Sequence, residues 1–278
     1  MSGFTERLEQ AATAAKSLVC VGLDPDPARM PVSSVSEFNR AIVDATAGLV
    51  CAYKPNLAFY EALGLPGLED LQKTIAHIRD AAPGVIIIGD AKRGDIGLSA
   101  QAYAKAMFQA WGFDAITINA WGGQDTVTPF LEDESKGVFV WCRGSNPGSA
   151  DFQDAQIATD DGPMPLYRSM ALSCREWDTK GNLGLVVGAT VPEQLGEVRA
   201  ACPDMPLLIP GVGAQGGDLE AAVRQGADSR GRAALINSSR GIIYASSGAD
   251  FAQAAAREAD KLRTNINEVL EADGKGWS

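Results

Sequence analysis

The chain has 278 residues, 46% of them hydrophobic, and a formal net charge of −11 from 24 basic and 35 acidic side chains. That length suits one (β/α)8 barrel of roughly 250 residues and is enough to bury a large core. The acidic balance argues against nucleic acid and anionic lipid as partners, and no uncharged apolar run approaches the ~20 residues of a membrane helix.

The N-terminal Met1-Ser2-Gly3-Phe4-Thr5-Glu6-Arg7 has no apolar signal core. Cys20, Cys51, Cys142, Cys174 and Cys202 are scattered, odd in number and without a Cys-x-x-Cys pair, which reads as reduced, buried thiols in a cytoplasmic protein. Eight short apolar runs then recur along the chain, at residues 18–23, 49–53, 85–88, 115–118, 138–141, 183–187, 206–209 and 233–236. Continuous apolarity over so few residues marks parallel strands covered on both faces. Amphipathic helical patterns separate them: Leu68, Leu71, Ile75 and Ile78 recur at steps of three and four, as do Leu219 with Val223 and the apolar residues of 251–262. Eight strand–helix units predict a closed TIM barrel forming a single domain over residues 1–278. A doubly wound open sheet is the alternative, but the first strand runs into Leu23-Asp24-Pro25-Asp26-Pro27, which cannot form a dinucleotide glycine loop. Residues 144–165 lack periodicity and read as a long loop after strand five, and residues 271–278 as a frayed tail.

In a barrel, the C-terminal ends of the strands face the active site. Here they carry Asp24, Lys54, Asp90 with Lys92, Asn119, residues 143–145, residues 210–215 and residues 237–240. The third strand runs straight into Asp90-Ala91-Lys92-Arg93-Gly94-Asp95. Residues two apart on a strand share a face, so Asp90 and Lys92 are expected in one cavity, with Lys54 arriving from strand two. Alternating signs keep such lysines protonated and such aspartates ionised. After strand seven comes the glycine-rich segment 210–217, and after strand eight Asn237-Ser238-Ser239-Arg240-Gly241. Loops seven and eight form the usual phosphate site of a barrel; glycines let backbone N–H groups approach an anion, and an arginine can grip it bidentately. An acidic chain would thus carry a local basic pocket. The single histidine, His77, falls mid-helix, away from the strand ends, as a half-exposed residue. With no histidine in the site and no cysteine cluster, a zinc or iron centre is not expected, and acid–base work falls to lysine and carboxylate.

These motifs together resemble the orotidine 5′-monophosphate decarboxylase family, in its longer bacterial branch, over essentially the whole chain. The family's Asp-x-Lys-x-x-Asp is met by Asp90, Lys92 and Asp95, its strand-one Asp by Asp24 and its strand-two Lys by Lys54. The branch's Ser-Asn-Pro-Gly appears at residues 145–148, its Pro-Gly-x-Gly-Ala-Gln-Gly-Gly at 210–217 and its Asn-Ser-Ser-Arg-Gly at 237–241. The resemblance implies conversion of orotidine 5′-monophosphate to uridine 5′-monophosphate without metal or organic cofactor. Lys92 would protonate C6 of the pyrimidine, Asp90 would face the substrate carboxylate, and Lys54 would order the array and touch the ribose. Asp24 would bind ribose hydroxyls and Ser145 the pyrimidine ring; Gln215 and Arg240 would hold the phosphate with the Ser239 backbone assisting, and Pro210 would also contact the substrate. Asp95, Ile96 and Ser99 would reach into a neighbouring subunit's site, making the protein a homodimer. One departure stands out: Asn119-Ala120-Trp121 replaces the family's frequent Asn-Pro-Tyr, a change that bears on interface packing rather than on chemistry.

Two other readings compete. Related phosphosugar barrels use Asp-x-Lys-x-x-Asp with Mg2+ and are expected to place a carboxylate ligand at the end of strand two, where this chain has the cation Lys54. A non-catalytic phosphate-ligand-binding barrel would keep Arg240 and the glycine loop but lose part of the charged array, which is complete here.

Overall fold

The computed structural model describes residues 2–212 and 217–277. Eight parallel strands close into a barrel in the order β1-β10-β9-β8-β5-β4-β3-β2. They are β1 (Val19–Leu23), β2 (Ala52–Pro55), β3 (Ile86–Arg93), β4 (Ala115–Ile118), β5 (Gly137–Arg143), β8 (Leu183–Val187), β9 (Leu207–Pro210) and β10 (Ala234–Ser238). The remaining two, β6 (Gln156–Thr159) and β7 (Gly162–Pro165), form a separate antiparallel hairpin between the fifth and sixth barrel strands. The barrel strands are buried almost throughout, as their unbroken apolarity predicts. Helices follow the strands and cover the outside. The one at Gly64–Ala81 buries Leu71, Ile75 and Ile78 and leaves His77 half-exposed, its Nε2 2.6 Å from Asp44 Oδ1.

The second strand sits three residues later than the apolar run that announced it. Residues 49–51 are the entry to the strand; pairing with β1 begins at Cys20–Ala52 and continues to Leu23–Pro55. Apolarity at Leu49 and Val50 marks packing ahead of the ladder, and Lys54 belongs to the strand, opposite Gly22, with a charged partner for its side chain inside the barrel. The third strand likewise runs past Ile88 to Arg93, which pairs with Ile118.

Two expectations are corrected. Residues 144–165 are not one aperiodic loop: they fold into a 3-10 turn at Pro147–Ser149, a short helix at Ala150–Gln153 and the β6–β7 hairpin. Each piece is too short to show a period, and the hairpin turns on Asp160-Asp161 with Gly162 at φ +110°, a conformation that glycine adopts freely. Nor does the C-terminal stretch fray. The last helix, Phe251–Ala272, is followed by a pinned tail. Trp277 Nε1 donates to Asn267 Oδ1 at 2.8 Å, and the Arg232 guanidinium lies 3.5 Å from the centre of its ring.

Candidate active site

Every charged side chain at the barrel mouth is delivered by the end of a strand. Lys54 on β2 and Asp90 on β3 meet at 3.0 Å between Nζ and Oδ2. Lys92 Nζ donates to the other carboxylate oxygen, Oδ1, at 2.6 Å. One carboxylate therefore stands between two ammonium groups, as the alternating charges in the sequence predicted. Lys54 is only 4% exposed, whereas Lys92 opens to the cavity.

Strand periodicity alone does not bring Lys92 here. The β3–β4 register shifts between Gly89 and Arg93, and Lys92 itself has φ +44°. A left-handed lysine costs about 1–2 kcal/mol, so its surroundings must hold it. Two contacts do so. The Lys92 N–H donates to Thr117 Oγ1 at 3.0 Å, and the Asn119 N–H donates to Arg93 O at 2.7 Å. The two strands also approach so closely that a Cβ at Gly94 would lie 2.5 Å from Asn119 O. Thr117 in turn donates to Asp90 Oδ1 at 2.7 Å. Its hydroxyl thus fixes the backbone of the lysine and the carboxylate of the aspartate at once. Thr117 is the one polar residue of β4 and is fully buried; a lone hydroxyl inside an otherwise apolar strand was the available signal.

The electrostatics follow from burial and pairing. Burial would push the Asp90 carboxyl up, but the ammonium groups of Lys54 and Lys92, with hydrogen bonds from Lys92 and Thr117, outweigh it and hold Asp90 well below the usual carboxylate range. Burial would likewise pull Lys54 down; the charges of Asp90 and Asp24 outweigh that and raise it above the ordinary lysine range. In β1, burial pushes the Cys20 thiol up to about 12.

The remaining walls come from the other strands. Asp24 follows β1, and its Oδ1 is buried with no hydrogen-bond partner among the described residues. Two tyrosines fix its backbone: Tyr60 Oη donates to Leu23 O at 3.0 Å and Tyr244 Oη to Asp24 O at 3.1 Å. Arg143, Gly144 and Ser145 line the wall after β5, and Pro210, Gly211 and Val212 the wall after β9. Ser239 and Arg240 complete the rim after β10. Gly22 on β1 is required by this closure, because a Cβ there would lie 1.8 Å from Ser239 Oγ. The enclosed space is about 230 Å³. Gln215 lies outside the described residues. Asp95, Ile96 and Ser99 do not join the others: all three are exposed, and none lines the cavity of their own chain. Asn56, two residues beyond Lys54, lines the cavity without having been singled out.

Residues 17–257 match the orotidine 5′-phosphate decarboxylase/HUMPS family. The chain belongs to that family. An orotidine 5′-phosphate decarboxylase of Dehalococcoides mccartyi is 50% identical over 265 residues, covering 95% of this chain and 97% of that one. One of Roseiflexus castenholzii is 49% identical over 276 residues, covering 97% and 99%. The solved structure of Leishmania donovani OMP decarboxylase superposes with a TM-score of 0.83 at 36% identity, covering 96% of this chain and 99% of that one. The end of β2 is where an Mg2+-dependent barrel is expected to carry a carboxylate ligand. The residue there is Lys54, whose ammonium occupies Asp90 Oδ2.

Proposed function

We propose that this chain decarboxylates orotidine 5′-monophosphate to uridine 5′-monophosphate, a step of pyrimidine biosynthesis, with Lys92 as proton donor. The observation that carries the reading is the single carboxylate of Asp90 held between Lys54 and Lys92. Loss of CO2 leaves a carbanion at C6. A fixed ammonium at Lys92 stabilises charge that appears only as the C–C bond breaks, and Lys92 then delivers its proton to C6. Asp90, kept ionised by its neighbours, would stand against the substrate carboxylate and disfavour the bound ground state. Lys54 keeps the aspartate charged and oriented. An Mg2+ ion would have to displace Lys54 from Asp90, and a cation cannot serve as a ligand.

The other assignments complete the substrate's outline. Asp24, with a buried oxygen in need of a donor, suits ribose hydroxyls. Ser145 takes the base, Gln215 and Arg240 take the phosphate with the Ser239 backbone assisting, and Pro210 lines the wall against the substrate. Asp95, Ile96 and Ser99 would act in a partner's site across a homodimer interface; their exposure, with Ile96 at 63% and Leu98 at 81%, supports that role. Five buried, unpaired thiols accord with a cytoplasmic setting. Among the described residues no helix is long and apolar enough to cross a membrane.

Loss of pyrimidine absorbance on incubation with the nucleotide tests the reading directly. Full activity is expected in excess chelator. Lys92→Ala should abolish turnover while leaving the circular dichroism spectrum intact; near-normal turnover in that variant refutes the assignment.

A further inference from the structure

The insertion between β5 and the next barrel strand has no role in the chemistry above, yet it is wired to the cavity wall through one buried side chain. Arg143 closes β5 with its side chain 5% exposed. Its Nε and Nη2 donate to Asp154 Oδ1 and Oδ2, each at 2.9 Å, a bidentate fork onto the residue that follows the insertion's short helix. Its Nη1 donates to Gly144 O at 3.0 Å and to Ser149 Oγ. The Gly144 N–H donates to Gln153 Oε1 at 2.7 Å. Both polar backbone atoms of Gly144 are thus held by the insertion or by an arginine that the insertion holds. The next residue is Ser145. On its far side, Thr190 Oγ1 donates to Ser145 O at 2.9 Å, and Gly188 packs so close that a Cβ there would lie 2.7 Å from the Ser145 Cα. The hairpin closes on itself, with Leu166 N–H donating to Ala155 O at 2.9 Å, so Asp154 is anchored to a folded unit rather than to a free loop. Neither Gln153 nor Asp154 lines the cavity.

We propose that the insertion is a brace that sets the pose of Ser145, and that Asp154 and Gln153 are positioning residues for recognition of the nucleotide's base. The proposal rests on the functional reading above, in which Ser145 meets the pyrimidine. Asp154→Asn removes the charge that orients Arg143, and Gln153→Leu leaves the Gly144 N–H without its acceptor. Either change lets Ser145 drift while the phosphate end is untouched.

The test compares competitive inhibition of turnover by uridine 5′-monophosphate, which has the base, and by ribose 5-phosphate, which lacks it. In both variants inhibition by uridine 5′-monophosphate should weaken about tenfold, the effect of losing one well-placed polar contact. Inhibition by ribose 5-phosphate should stay within about twofold of wild type, since its contacts lie elsewhere. Asp154 is partly exposed, so Asp154→Asn is expected to fold; if it does not, Gln153→Leu alone decides. Equal weakening of both inhibitors, or no weakening of either in an active enzyme, overturns the brace. A wild-type chain that leaves the nucleotide's absorbance unchanged overturns the functional reading, and the brace with it.

Discussion

Replacing Asp90 with Asn removes the only anion paired with Lys54 among the described residues while keeping the side chain's shape. Its cost can be assembled from the contacts. The Lys54–Asp90 pair is buried on both sides, and breaking such a pair by removing one partner costs about 3–5 kcal/mol. The Lys92 side chain is 37% exposed, so solvent screening reduces its share to about 0–1 kcal/mol. The Thr117 hydroxyl keeps an acceptor in the amide. A loss of about 4 kcal/mol near neutral pH is expected, or roughly 10 °C in melting temperature for a chain of this size. The pH dependence carries the sharper signature. In the wild type, Asp90 is depressed, so its contribution fades only as pH falls below the usual carboxylate range. Lys54 is raised, so its contribution fades only as pH climbs past the ordinary lysine range. In Asp90→Asn the burial of Lys54, its largest single influence, is opposed mainly by the charge of Asp24, which makes no ion pair with it, and its folded value is expected to fall below the unfolded one. The unfolded chain then binds more protons than the folded one on the alkaline side, so the variant gains stability as pH rises toward 10. Urea unfolding of both proteins at pH 7 and pH 10 measures this. A deficit under 1 kcal/mol at pH 7, or one that widens with pH, would show that the ion pair is not what holds Lys54 in place.

Three further outcomes follow from particular contacts. Thr117→Val keeps the shape but leaves the Lys92 N–H without its acceptor. kcat should fall about 100-fold, the scale of a misplaced catalytic group, with KM nearly unchanged, and Thr117→Ser should restore most of it; a Val variant with wild-type kcat contradicts the positioning role. Gly22→Ala forces Ser239 away from β1. It should cost about 1–3 kcal/mol by overpacking and raise KM more than it lowers kcat, whereas an unchanged KM would detach Ser239 from substrate binding. Trp277→Ala removes the ring under Arg232 and the bond to Asn267. About 2 kcal/mol should be lost in chemical denaturation, against none if the tail were loose.

Much of this is legible in the sequence. Eight apolar runs between amphipathic stretches carried the barrel, because a parallel strand sheathed on both faces has no polar side to show. Asp24, Lys54, Asp90 and Lys92 were legible because charge at the end of such a strand has no structural reason to be there. The means of bringing Lys92 to Asp90 were not. Period two placed them on one face, but a shifted register and a left-handed residue do the work, and both depend on contacts with Thr117 and Asn119 from a strand 25 residues or more away in sequence. Arg143 was visible only as a strand-end charge; its partner Asp154 sits in a segment whose helix and strands each span four residues, below the length at which periodicity speaks. Trp277 was missed for a similar reason, since its hold comes from Arg232 and Asn267 rather than from its neighbours in the chain.

The placement of the two ends of the cavity has one more consequence. Lys54, Asp90, Lys92 and Thr117 come from β2, β3 and β4, three strands that lie side by side, while Ser239, Arg240, Pro210 and Gly22 belong to the arc of β9, β10 and β1. The mouth of the barrel works like a caliper with its jaws welded: their separation is fixed by the ladder of peptide hydrogen bonds around the ring, and it changes only if strands shear past one another. A molecule that touches both jaws at once has to match that separation. The backbone thus sets the distance between the two groups of strand ends, and side-chain replacements at either end adjust the reach across it.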